Sequence, residues 1–195
     1  LIVPVPDSGV PAAIGYSEYV KKNVELGIIR NHYVGRTFIE PTQQIRSLGV
    51  KLKHSINKTL IKNKSLTLID DSLVRGTTSE KIIKMLFEFG AKEVHLRIAS
   101  PPIKFPDYYG VDTPSKKELL ASMNSLESMR KFINATTLQF LSIEGLYKSM
   151  GFEKRNSSYP QFTDHCFTGD YPVEPIDAKE KTFINNKLTF LSSKN

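Results

Sequence analysis

Two neighbouring carboxylates, Asp70 and Asp71, close the apolar run Leu66-Thr67-Leu68-Ile69, and Gly76-Thr77-Thr78 follows after the spacer Ser72-Leu73-Val74-Arg75. Adjacent carboxylates accept hydrogen bonds from a sugar diol and attract Mg²⁺, directly or through water. A helix starting near Thr77 would present unpaired N–H groups and a positive dipole end, both suited to a phosphate. Gly76 lets the backbone approach a ligand closely, and the hydroxyls of Thr77 and Thr78 add donors. One end of the segment therefore wants an anion, and the other wants hydroxyls or a cation. A ribose 5-phosphate bearing a Mg-bound group satisfies both ends. The loop is not a Walker loop, because Thr77 stands where that loop needs lysine. The competing interpretation is a plain strand-to-helix turn with an incidental acidic pair. The order of strand, Asp-Asp, spacer, Gly-Thr-Thr and helix weighs against it.

The elements around this loop alternate. Leu1 to Val5 is expected as a buried strand, and Pro6-Asp7-Ser8-Gly9 as a tight loop. Val10 to Lys22 has helical spacing, and Leu26 to Arg30 is expected as a second strand. Asn31 to Pro41 lacks any period and is expected as an exposed loop, with a short helix at Thr42 to Leu48 ended by Gly49. Ser65 to Asp70 is apolar enough for a parallel strand buried on both faces. Thr77 and Glu80 have capping-box spacing, with Thr77 as the expected cap. The helix that follows puts Ile82, Met85, Leu86 and Phe89 on one stripe and stops at Gly90. Glu93 to Ala99 is expected as another strand. This alternation predicts an α/β fold with a mainly parallel sheet flanked by helices. A proline-rich loop, 100–114, leads to a second capping box at Ser115 and Glu118. Short helices are expected near Lys116 to Ser122, Leu126 to Ile133 and Ile143 to Met150, with Gly151 as the stop. From Phe152 the composition turns polar, which predicts a C-terminal extension with partial helix around Ala178 to Asn186. The expected division is a domain over 1–151 and an extension over 152–195.

Composition narrows the class. The 195 residues are 39% hydrophobic, enough for a core, and no window approaches the ~18 apolar residues of a membrane helix. The net charge of +7 comes from scattered lysines, which fits a solvated surface better than a nucleic-acid footprint. Cys166 is the single cysteine, so no intramolecular disulfide can form, and a reducing cytoplasm is expected. The opening residues LIVPVP show no signal peptide, and a chain that begins at Leu1 inside an apolar run reads as a fragment.

The stretch LTLIDDSLVRGTTSE at 66–80 resembles the phosphoribosyl-pyrophosphate (PRPP) signature of type I phosphoribosyltransferases. Its particular form is similar to that of the amidophosphoribosyltransferase family. VPVPDSG at 3–9, NHYVGRTFIEP at 31–41, SPPIKFPDYYGVDTPSKKEL at 100–119 and CFTGDYP at 166–172 agree with it. The resemblance implies a type I phosphoribosyltransferase fold with a C-terminal helical extension, and transfer of ammonia to C1 of PRPP, giving phosphoribosylamine and pyrophosphate at the opening of purine synthesis. It implies that Asp70 and Asp71 contact the ribose hydroxyls and, with Ser8, help hold Mg²⁺. It implies a 5′-phosphate cradle over 72–78, with Ser72, Val74, Arg75, Gly76, Thr77 and Thr78 as contacts. Asp7, Ser8 and Gly9 match the pyrophosphate loop, and Tyr33, Arg36 and Thr37 match a mobile loop closing over PRPP. Catalytic roles are implied for Arg36, Tyr33, Asp70 and Asp71. The chemistry suits Arg36, since a planar guanidinium binds the oxygens of a leaving pyrophosphate bidentately. A homo-oligomer, purine nucleotide inhibitors and a glutaminase part of the same polypeptide are implied as well.

Several positions depart from the family pattern. His32 and Arg30 stand where many relatives carry arginine and lysine. Some branches bind an iron–sulfur cluster through four cysteines, whereas the matching neighbourhoods here hold Asp107, Pro160, Thr163 and Cys166, so no cluster is expected. Leu1 is not the glutaminase cysteine, and His32, His54, His95 and His165 form no evident nucleophile–base pair with Cys166, so turnover with ammonia rather than glutamine is expected. Two alternatives remain: a type I phosphoribosyltransferase that uses a nucleobase or orotate, disfavoured by the long region after the core, and a non-catalytic PRPP-sensing regulator.

Overall fold

The structure is a computed structural model, and it describes residues 1–31, 54–111, 113 and 115–173. Its centre is a four-stranded, all-parallel sheet in the order β1-β4-β5-β6, formed by Ile2–Pro4, Ser65–Asp70, Glu93–Ile98 and Thr137–Phe140. Strand residues alternate between faces. Leu66 and Leu68 of β4, with Val94, Leu96 and Ile98 of β5, join one large buried cluster. Ile69 points the other way and packs with Ile2 and Ala13.

Helix α1 (Val10–Val20) covers β1 and β4 on that second face. It opens at Gly9 with a proline in its first turn, and ends at Lys21 in a left-handed conformation. A strongly amphipathic helix spans Thr77–Glu88, with Ile82, Ile83, Met85 and Leu86 buried, and Gly90 at φ +92° turns the chain out of it toward β5. The expected stripe is present, with Ile83 added. A short helix at Leu126–Phe132 brings Met129 into the same cluster, joined by Ile133 just beyond it. Helices at Leu120–Met123 and Ile143–Ser149 follow as expected, and Ser115 and Glu118 do form a capping box, over a single 3₁₀ turn at Lys116–Glu118.

Three expectations need correction. The strand near Leu26 forms at Ile28–Arg30 (β2), but it stands outside the parallel sheet and pairs antiparallel with His54–Ile56 (β3). That partner and β6 were not anticipated, because strands of three or four residues are too short to show a period. Residues 152–173 are not simply a polar tail. Asp164, only 3% exposed, accepts hydrogen bonds from Tyr147, Arg155 and Thr168, and the helix His165–Thr168 stacks beside the loop that precedes the 3₁₀ turn. Most polar residues of 152–173 do face water, but Asp164 and His165 are buried. Thr77 is not the helix cap; its place is taken by Gly76, described with the site. The expected helices at 42–48 and 178–186 lie outside the described residues. No helix among the described residues is long and apolar enough to cross a membrane.

Candidate functional site

A cavity of about 500 Å³ opens beyond the carboxyl ends of β1 and β4, where open parallel sheets bind their ligands. Its lining runs from Val5 to Ser8 on one side and from Asp70 to Ser79 on the other, with Arg30 and His54 of the small antiparallel pair at its edge.

The loop after β1 is pressed onto β4. Val5 N donates to Ile69 O at 2.8 Å, and a Cβ placed on Gly9 would lie 2.3 Å from that same carbonyl oxygen. Gly9 is thus required by close packing, and the cavity is lined by its neighbours Asp7 and Ser8 instead. Ser8 Oγ lies 3.4 Å from Asp70 Oδ1, which joins the two strand ends across the cavity floor.

Asp70 is the last residue of β4 and is buried. Its Oδ1 also accepts from Asp71 N at 3.0 Å. Burial, reinforced by the neighbouring Asp71 charge, raises the Asp70 carboxyl from 3.8 to about 7. Asp71 is exposed and accepts from Ser72 N at 2.7 Å and Ser72 Oγ at 3.2 Å. One carboxylate therefore resists charging while its neighbour stands in solvent. Such a pair gains from a divalent cation, which makes the buried charge tolerable.

From Ser72 the loop turns over Leu73, which is 2% exposed and belongs to the main core. Val74 O accepts from Leu120 N at 2.9 Å. Arg75 Nε and Nη2 donate to Glu118 Oε1 at 3.2 and 3.1 Å. Gly76 has φ +76°, and it starts the helix Thr77–Glu88 without any side-chain cap. The expected capping box fails because a residue in the left-handed region occupies the capping position, where glycine is the natural choice. The first N–H groups of a twelve-residue helix therefore open into the cavity wall, beside Thr77 and Thr78.

The structure brings together most of the residues that sequence reasoning singled out: Asp7, Ser8, Asp70, Asp71, Ser72, Val74, Arg75, Gly76, Thr77 and Thr78 all line one cavity. Tyr33, Arg36 and Thr37 lie outside the described residues. Among the lining residues not assigned to the site, three carry polar side chains: Arg30, His54 and Ser79. Arg30 pairs with Asp7 at 2.5 Å, and among the described residues its buried Nε has no partner. A basic residue in a strand ending in an Asn-His-Tyr loop was the available signal for Arg30; His54 had none.

A second titratable cluster lies away from this cavity. His165 Nε2 is 2.6 Å from Asp107 Oδ2, and Cys166 Sγ is 3.7 Å from the same nitrogen. Both partners meet one ring nitrogen, so this is no nucleophile–base–orienter relay, which would use both nitrogens. Burial, with the Asp107 charge, also pushes the Cys166 thiol up, as suits a packed rather than a reactive cysteine. Asp107 is held low, against its burial, by the N–H groups of Val111 and Tyr109 and by His165.

No family model matches the chain. It is 58% identical over 194 residues to an amidophosphoribosyltransferase of Rhizobium etli, a match covering 99% of this chain and 39% of the relative. It is 49% identical over 174 residues to the amidophosphoribosyltransferase of Bacillus subtilis, covering 89% of this chain and 36% of that protein. Among solved structures it is similar to the glutamine PRPP amidotransferase from B. subtilis complexed with ADP and GMP, with a TM-score of 0.76 and 50% identity over 89% of this chain and 38% of that one. The chain thus spans about two fifths of the length of the relatives it matches.

Proposed function

The chain matches the C-terminal phosphoribosyltransferase part of the amidophosphoribosyltransferases and has the type I phosphoribosyltransferase fold, and from that premise we propose that it transfers ammonia to C1 of PRPP. The nitrogen lone pair forms the C1–N bond as the bond from C1 to the pyrophosphate oxygen breaks. A proton leaves nitrogen, and the products are 5-phosphoribosylamine and pyrophosphate. The reaction would open purine synthesis.

The observation that carries this reading is the two-ended cavity: Asp70 and Asp71 at one end, and the helix start opened by Gly76 at the other. On this reading the loop 72–78 holds the 5′-phosphate through its N–H groups and the hydroxyls of Ser72, Thr77 and Thr78. Asp70 and Asp71 orient the ribose hydroxyls. Asp7 and Ser8 face the pyrophosphate. Ser8, Asp70 and Asp71 are the residues that would hold Mg²⁺. The fit rests on the buried Asp70 carboxyl, whose charge needs a cation beside it. When bound, the metal neutralises charge on the leaving pyrophosphate. Arg36, with Tyr33 and Thr37, would close over the reacting centre, adding positive charge where charge develops and excluding water.

The nitrogen source in the longer polypeptide would be a glutaminase part, and free ammonium should substitute for it. We further expect a homo-oligomer, a cytoplasmic setting, and purine nucleotides competing at the site; the B. subtilis structure carries ADP and GMP. The test is pyrophosphate release from PRPP with ammonium and Mg²⁺. Wild type should turn over, and Asp70→Asn with Asp71→Asn should not, while keeping its fold. Normal turnover by the double variant would refute the site, and adenine, hypoxanthine or orotate consumed in place of ammonium would refute the acceptor.

A further inference from the structure

We propose that Glu118 is a positioning residue for the phosphate end of the cavity, acting through Arg75. This rests on the reading of the loop 72–78 as a phosphate cradle. Glu118 lies outside the loop, 43 residues from Arg75 along the chain. Both of its oxygens are engaged. Oε1 takes Arg75 Nε and Nη2 at 3.2 and 3.1 Å, and Oε2 takes Ser115 N and Ser115 Oγ at 3.2 and 3.0 Å. The capping box therefore fixes the carboxylate before the guanidinium reaches it. Those same bonds, Ser115 first and Arg75 second, hold the Glu118 carboxyl low, so it stays ionised through the neutral range.

The neighbouring contacts make a brace. Leu120 N bonds Val74 O, Glu118 holds Arg75, and a Cβ on Gly76 would lie 2.6 Å from Leu120 Cδ2. Three consecutive loop residues thus lean on one short turn, with Leu73 as the remaining anchor in the core. The ion pair is about half exposed, 48% for Arg75 and 51% for Glu118, so it adds little to folding stability. Its effect belongs to geometry: a loop already set with its N–H groups inward spares the ligand the cost of ordering it.

The test compares the two ends of one cavity by calorimetry on the full chain, with ribose 5-phosphate as probe for the phosphate end and Mg-pyrophosphate for the other. Glu118→Gln should weaken ribose 5-phosphate about three- to tenfold, the cost of ordering one rotamer-rich side chain. It should leave Mg-pyrophosphate within about twofold and Tm nearly unchanged. Arg75→Gln should weaken it at least as much, and the double variant should be no worse than Arg75→Gln alone, since Glu118 acts only through Arg75. Ser115→Ala, which loosens Glu118 without removing it, should act in the same direction more weakly and serves if Glu118→Gln fails to fold. Equal loss at both ends, multiplied effects in the double variant, or undiminished ribose 5-phosphate binding would overturn the inference. So would a wild type that does not bind ribose 5-phosphate. A wild type that binds both probes but never turns over PRPP would instead refute the catalytic reading and leave this one standing.

Discussion

Asp70→Asn should stabilise the metal-free protein, and increasingly so as pH rises. The native Asp70 carboxyl titrates at about 7 against an ordinary 3.8, because it is buried beside Asp71. Between those values the native state holds a proton that the unfolded state has released. Stability therefore falls as pH climbs through that window, and the penalty is complete above about pH 7. Three units at ~1.4 kcal/mol each give a full penalty of about 4 kcal/mol, of which less than half is already present at pH 5. Asparagine keeps the acceptor for Asp71 N and does not ionise. Its advantage over wild type should then grow by about 2–3 kcal/mol between pH 5 and pH 8, or roughly 5–10 °C in Tm for a chain of this size. Thermal unfolding in chelator at both pH values measures it. Other titrating groups cancel when variant and wild type are compared at the same pH. Adding Mg²⁺ at pH 8 should raise wild type and leave the variant in place, and the variant should have lost PRPP turnover. A wild-type-to-variant difference that does not change with pH would refute the reasoning, for it would mean that Asp70 ionises as an ordinary carboxylate.

Arg36→Ala should lower kcat about 10²–10³-fold while changing PRPP affinity little, if the loop acts on charge that develops only in the transition state; equal loss in both would place Arg36 in ground-state binding. Gly9→Ala should destabilise by at least ~1–3 kcal/mol, because its Cβ would sit 2.3 Å from a backbone oxygen of β4 that cannot give way; an unchanged denaturation midpoint would disprove that contact. Asp164→Ala should cost about 3–5 kcal/mol, since it strips Arg155, Tyr147 and Thr168 of a shared buried acceptor, and a loss under 1 kcal/mol in urea titration would show the network to be dispensable.

The long elements were legible because each carries its own physical signature. Ser65–Asp70 is apolar and bounded, and Thr77–Glu88 shows one clear stripe ending in glycine. The acidic pair and Gly76 could be located because they sit at the junction of those two elements. The pairing of Ile28–Arg30, itself expected as a strand, could not be foreseen, since His54–Ile56 is too short to show alternation and meets it across a long interval of sequence. The segment after Phe152 misled for a different reason. Its Asn, Ser, Pro and Lys content reads as solvated, but Asp164 is buried by partners scattered from Tyr147 to Thr168, a pairing that composition does not encode. Glu118 was visible only as half of a capping box; that its other oxygen reaches back to Arg75 is a fact of tertiary packing.

The misassigned cap bears directly on the chemistry. A capping box at Thr77 would spend its hydroxyl on an N–H of the same helix. That would work against an anion. With Gly76 in the left-handed region as the capping residue, the helix begins one position earlier and no side chain is consumed. Thr77 and Thr78 then sit in the first turn and line the cavity, next to N–H groups that the helix itself cannot satisfy. The glycine gives up a side-chain cap, at a cost of only about a few tenths of a kcal/mol, and leaves the donors in place for a ligand that would arrive from outside. A helix start built for stability alone would have put the cap there; on the proposed reading this one serves a phosphate.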